Sequence, residues 1–101
     1  MLTDRVLLHS MTLVGRVLAD PTRASILLFL MLGGSGYPSH IADQLGLTRP
    51  NVSNHLAHLR RAGLLEAHSE GRRTRYKIAD ENATSALADL LEALLPTPQS
   101  S

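Results

Sequence analysis

The sequence predicts a mainly α-helical domain carrying one small β-hairpin, and three observations lead there. Only three of its 101 residues are aromatic, Phe29, Tyr37 and Tyr76, so a core must be built from Leu, Ile, Val, Met and Ala, which favours packed helices. Most of the chain repeats apolar residues at three- and four-residue spacings, the period of a helix with one face buried. One stretch, Leu64 to Ile78, changes to an alternation of period two, the mark of a half-buried strand. With 44% hydrophobic and 19% charged residues the composition is that of an ordinary globular domain. A chain this short buries roughly two thirds of its unfolded surface, so further burial against a second copy would help it.

Taken in order, Leu2 to Leu18 places Val6, Leu13, Val14, Val17 and Leu18 at helical spacings and predicts the first helix. Asp20 can cap a second helix that opens on Pro21, where the missing N–H costs nothing, and runs to about Leu32. Its interior, Ile26 to Leu32, is apolar almost all round, as in a helix at the centre of a domain. Gly33, Gly34 and Gly36 end it, and the Gly33-Gly34-Ser35-Gly36 run is read as a linker. A short helix is expected from His40 to Leu45, closed by Gly46. Thr48 can then cap a fourth helix whose Val52, Leu56 and Leu59 make an apolar stripe up to Gly63, while Asn51, Asn54, His58 and Arg61 lie opposite. The hairpin follows, with its turn at Ser69-Glu70-Gly71 and a strand in which Arg73, Arg75 and Lys77 alternate with Thr74, Tyr76 and Ile78. Asp80 caps a last helix from Glu81 to about Leu95, with a wide apolar face of Ala83, Ala86, Leu87, Leu90, Leu91, Leu94 and Leu95, and Pro96 stops it. One domain over 1–95 is expected, with a helix-turn-helix about 39–62, a hairpin about 64–78, a last helix about 81–95, and a disordered tail over 96–101.

Composition removes several function classes. There is no cysteine, hence no disulfide, thiolate zinc site, iron–sulfur cluster or Cys nucleophile. The longest apolar run, Ile26 to Leu32, is far shorter than the ~20 residues of a membrane-spanning helix. The amino terminus has Asp4 before Arg5 and is interrupted by His9, Ser10 and Arg16, unlike a cleaved signal peptide, so a cytoplasmic location is expected. No Gly-x-Ser-x-Gly elbow, phosphate-binding glycine loop or His-Glu-x-x-His motif is present, and no enzyme is expected.

The net charge of +1 hides an asymmetry: Arg49 to Lys77 holds seven cations and two anions, whereas the remainder holds three cations and seven anions. A basic centre between acidic ends suits a polyanion. Two short helices joined by Gly46-Leu47-Thr48 match a helix-turn-helix, and the basic hairpin beside it makes a winged one. A helix of this kind fits the major groove, where Thr48, Arg49, Asn51, Ser53 and Asn54 are the right types to reach bases and phosphates. Arg72, Arg73 and Arg75 on the wing would hold the backbone or the minor groove, adding affinity more than sequence choice.

Four segments carry a resemblance: Leu18-Ala19-Asp20-Pro21-Thr22-Arg23; Leu47-Thr48-Arg49-Pro50-Asn51-Val52-Ser53-Asn54-His55-Leu56; Leu59-Arg60-Arg61-Ala62-Gly63-Leu64-Leu65; and Glu70-Gly71-Arg72-Arg73-Thr74-Arg75-Tyr76. Together they resemble the ArsR/SmtB family of winged-helix metalloregulators over roughly residues 4 to 95, closest to its cadmium- and lead-sensing branch. The resemblance implies a cytoplasmic homodimer held by the first and last helices, a palindromic operator in double-stranded DNA, repression of transcription, and an effector that shifts DNA affinity. It also places His55 where the family usually has a histidine, in packing or DNA contact.

The family's metal positions are altered here. Tyr37 and His40 stand where many members have a thiolate-bearing pair, and His58 and Ala62 where the cadmium-sensing branch has cysteines. Asp80, Asn82, Asp89 and Glu92 lie in the last helix, which has no histidine. The donors remaining for a metal are Asp4, His9, His40 and His58, and such nitrogen and oxygen ligands suit nickel or zinc better than soft cadmium, lead or arsenic, with nickel favoured. His68 is expected to be a plain surface residue. Two alternatives stand beside a metal-responsive regulator: a winged-helix module that binds another protein, and a DNA-binding regulator whose signal comes from a metal-sensing partner protein.

Overall fold

The computed structural model describes residues 3–96 and orders them as α1 (Asp4–Leu18), α2 (Pro21–Gly33), β1 (Ser35–Gly36), α3 (Pro38–Leu45), α4 (Arg49–Arg61), β2 (Leu65–Glu70), β3 (Arg73–Ile78) and α5 (Glu81–Leu94). Leu2 and the tail from Thr97 to Ser101 lie outside the described residues. Four helices start on side-chain caps. The oxygens of Thr3, Asp20, Thr48 and Asp80 accept the backbone N–H of Val6, Arg23, Asn51 and Asn82, satisfying donors that a helix start leaves without intrahelical partners. The Arg23 bond holds the Asp20 carboxyl below its usual range. α3 begins at Pro38, earlier than the expected His40, because proline's restricted φ suits the first helical position.

The wing has three strands where two were expected. β1 pairs antiparallel with β3 through Ser35↔Lys77 and Gly36↔Tyr76, giving the order β1-β3-β2. The run read as a linker is therefore partly strand. Gly36 is buried, and a Cβ there would sit 3.3 Å from Ile41 Cγ1, a tight contact that Ile41 would have to relax by a few tenths of an ångström, so glycine lets the strand lie close against α3. The β2–β3 turn also lies further along than expected. Ser69 and Glu70 stay in β2, paired with Thr74 and Arg73, and Gly71-Arg72 make the turn with Gly71 at φ 64°. That backbone conformation favours glycine, which places the reversal there.

The core joins Val17 of α1, Ile26, Leu27 and Leu30 of α2, Ile41 and Ala42 of α3, Val52, Leu56 and Leu59 of α4, and Leu65 of β2. α2 lies at its centre but is not buried all round, since Leu28 and Leu32 are 51% and 81% exposed. No residue of α5 is buried. Val6, Leu7, Leu8 and Met11 on α1, and Leu90, Leu91, Leu94 and Leu95 at the end of α5, stay exposed. The radius of gyration is 15.0 Å, above the ~13 Å of a compact 100-residue domain, and the molecule is a slab of 45 × 44 × 21 Å. Its terminal helices lie out from the core, with apolar surface that one chain leaves uncovered.

Candidate nucleic-acid interface

Val52, His55, Leu56 and Leu59 turn one side of α4 into the core, so Arg49, Asn51, Ser53, Asn54, Arg60 and Arg61 remain on its exposed side. Thr48 is exposed at the N-cap, its hydroxyl oxygen accepting the Asn51 N–H at 3.3 Å. An open groove of about 360 Å³ runs between this helix and the wing, lined by Tyr37, Pro38, Ser39, Arg49, Ser53, Arg72, Arg73, Thr74 and Tyr76. Arg49 and Ser53 thus face the same space as Arg72 and Arg73, though the two pairs are about twenty positions apart in the chain. Asn51 and Asn54 are exposed but do not line it.

Ion pairs divide the wing's cations. Lys77 meets Glu66 at 3.4 Å and Arg75 Nε donates to Glu70 at 2.8 Å, while Arg72 and Arg73 have no carboxylate partner among the described residues. Arg73 lies over the Tyr37 ring, 3.5 Å from its centroid, a cation–π contact that consumes none of its N–H donors. Tyr37 in turn donates its hydroxyl to Glu70. That bond lifts the phenol above its usual pKa and, with Arg75 adding to it, lowers the Glu70 carboxyl. His68 shares Glu66 at 2.8 Å and stays on the surface as expected.

His55 departs from the DNA-facing reading. It is 8% exposed and belongs to the inner side of α4, where Arg23 Nε donates to its Nδ1 at 3.3 Å. An accepting Nδ1 puts the ring proton of the neutral imidazole on Nε2. The same Arg23 donates to the Arg16 carbonyl at 3.4 Å, so one guanidinium ties α1, α2 and α4 together and points His55 to packing. The sequence carried a signal for this in Asp20-Pro21-Thr22-Arg23, but nothing in it shows which residue Arg23 meets.

The metal candidates are dispersed. Asp4 and His9 are exposed on α1, and His40 is exposed on α3 with its ring 5.8 Å from that of Phe29. His58 on α4 has Nδ1 3.2 Å from Arg61 Nη2, and partial burial, helped by the Arg23 charge, holds its pKa below the usual value. Among the described residues of one chain no group of three or more His, Asp or Glu could hold an ion. These side chains do not fit a metal within a single subunit.

A family model described as a helix-turn-helix domain matches residues 18–68. Relatives named HTH-type transcriptional regulator CmtR, from Mycobacterium bovis and Mycobacterium tuberculosis, are 48% identical over 95 residues, which is 94% of this chain and 80% of theirs. A solution structure from Mycobacterium bovis, described as a homodimeric winged helix-turn-helix DNA-binding domain and a possible ArsR-family regulator, matches all of this chain and 97% of its own at a TM-score of 0.81 and 29% identity. This chain belongs to the ArsR family. It is a DNA-binding transcriptional regulator and not an enzyme. The solved structure of the cadmium metal-sensor CmtR from Mycobacterium tuberculosis matches 89% of this chain and 93% of its own at a TM-score of 0.67 and 47% identity. Among the described residues no helix is long and apolar enough to cross a membrane.

Proposed function

We propose that this ArsR-family chain works as a cytoplasmic homodimeric repressor, covering a palindromic operator with α4 in the major groove and the wing on the adjoining backbone. The observation that carries the reading is the groove in which Arg49 and Ser53 of α4 face Arg72 and Arg73 of the wing. Thr48, Asn51 and Asn54 extend the same exposed side of α4, and Arg75 adds a cation beside it. The dimer is supported by the apolar surfaces of α1 and α5 and by the homodimeric relative. A twofold axis implies half-sites about one helical turn apart.

The signal is part of the same proposal. Without cysteine, the soft ion named for CmtR finds no thiolate here. The imidazoles and carboxylate of His9, His40, His58 and Asp4 suit nickel or zinc, and since one chain does not assemble them, a site would have to draw on both subunits.

Fluorescence anisotropy on a duplex from the protein's own promoter, metal-stripped and then with nickel or zinc, beside a scrambled duplex, tests both parts. A promoter preference that changes at least tenfold with metal, about 1.4 kcal/mol of coupling, establishes a metal-responsive regulator. Promoter preference without a metal effect moves the signal to another source such as a partner protein. Equal binding to both duplexes defeats the operator reading. Loss of the metal effect in His9→Ala and His40→Ala would locate the ligands.

A further inference from the structure

Glu70 occupies an unusual place in the basic wing. Both its carboxylate oxygens are engaged: Oε2 accepts from Arg75 Nε at 2.8 Å and Oε1 accepts from the Tyr37 hydroxyl. In the sheet register it stands opposite Arg73, whose guanidinium lies on the Tyr37 ring. Three groups around the groove, Tyr37, Arg73 and Arg75, are thus gathered about one anion, and Tyr37 and Arg73 line the groove itself. Two charge-assisted bonds into one carboxylate form the same arrangement that a phosphate oxygen would accept.

We propose that Glu70 is an internal stand-in for a DNA phosphate, a carboxylate latch that holds Tyr37 and Arg75 in the free protein and gives way when the backbone arrives. This rests on the reading that the wing enters the DNA interface. The latch is built to open. Side chains of Arg75 and Glu70 are each 38% exposed, so water screens the pair and little is lost on parting it. A duplex offers a dense row of phosphates in exchange. While closed, the latch removes one cation from those available to DNA and sets a fixed negative charge beside the groove. Both effects weaken non-specific binding most, because that binding depends on charge alone. Glu70 therefore acts as a specificity-determining residue without touching a base.

The test uses the full chain on the promoter duplex and on a scrambled duplex, with affinity followed from 50 to 200 mM salt. Glu70→Gln keeps the side chain's size and an oxygen for Tyr37 while removing the charge. It is expected to tighten binding to the scrambled duplex about fivefold or more, to tighten promoter binding less, and to steepen the salt slope by about one. Arg75→Ala, which loses the released cation and leaves the Glu70 charge without its partner, is expected to weaken binding alone and to erase the gain when combined with Glu70→Gln. Tyr37→Phe, which keeps the ring under Arg73 but removes one anchor of the latch, is expected to move binding the same way by a smaller factor. Unchanged or weaker binding in Glu70→Gln overturns the latch and makes Glu70 a simple brace for the hairpin. Arg72→Ala separates the two levels of failure. If it lowers affinity while Glu70→Gln does not raise it, the latch alone is wrong; if neither changes binding, the wing is outside the interface and the latch falls with it.

Discussion

Two faces of this molecule are incomplete in opposite ways. The α4 and wing face has cations without a carboxylate partner among the described residues, Arg49, Arg60, Arg61, Arg72 and Arg73, beside the paired Arg75 and Lys77. The α1 and α5 face has Leu8, Met11, Leu90 and Leu94 in water. The first needs a polyanion and the second needs apolar surface, so each names its partner by what it lacks. Changes made on one face should be read out in salt dependence, and changes on the other in concentration dependence.

The largest effect lies between the faces. Leu56→Ala, deep under α4, should cost about 2–5 kcal/mol of stability by denaturant unfolding, whereas Leu94→Ala on the open face should cost the isolated subunit almost nothing. Next, Leu91→Asp with Leu94→Asp should give monomers by analytical ultracentrifugation and lose operator affinity at least about 100-fold, since two linked half-sites become two separate encounters. A dimer that survives both substitutions would place its interface elsewhere. On the basic face, Arg72→Ala should weaken binding to every duplex and lower the salt slope by about one, while Ser53→Ala should narrow the gap between promoter and scrambled DNA by about 1–3 kcal/mol. Identical losses on both duplexes for Ser53→Ala would remove it from base readout.

The smallest effect is on pH. His58 and Asp20 both have lowered pKa values in the folded chain, so the unfolded chain binds more protons in the window where each titrates, and stability rises with pH there. The thermal midpoint should fall slightly as pH drops below the ordinary imidazole value of 6.5, and again below the ordinary carboxyl value of 3.8. His58→Gln should flatten the first step. Should that step persist unchanged, another histidine is responsible.

Much of the basic face is legible in the sequence, because its logic is local. Caps at Asp20, Thr48 and Asp80, the Pro21 start and the alternation from Arg73 to Ile78 involve neighbours within a few residues, and each forms where the pattern places it. The misplacements share a different cause. β1 exists because β3, forty residues away, offers it a strand edge, and Gly36 lies close against Ile41 and Leu30 from other elements. His55 is at the edge of the apolar stripe, and whether it faces DNA or core depends on Arg23 arriving from another helix. The sequence pattern places Glu70 in the turn, whereas in the fold it ends β2 and Tyr37 and Arg75 converge on it.

Left to itself, the sequence determined the helices, the hairpin, the basic centre and the apolar terminal helices, because short-range propensity, capping and periodicity act between residues already close along the chain. Only the tertiary structure decided which cations share a groove, which histidine is buried and which anion sits among the wing's arginines. Those are matters of distance between elements, and a few ångströms separate an ion pair from two solvated charges.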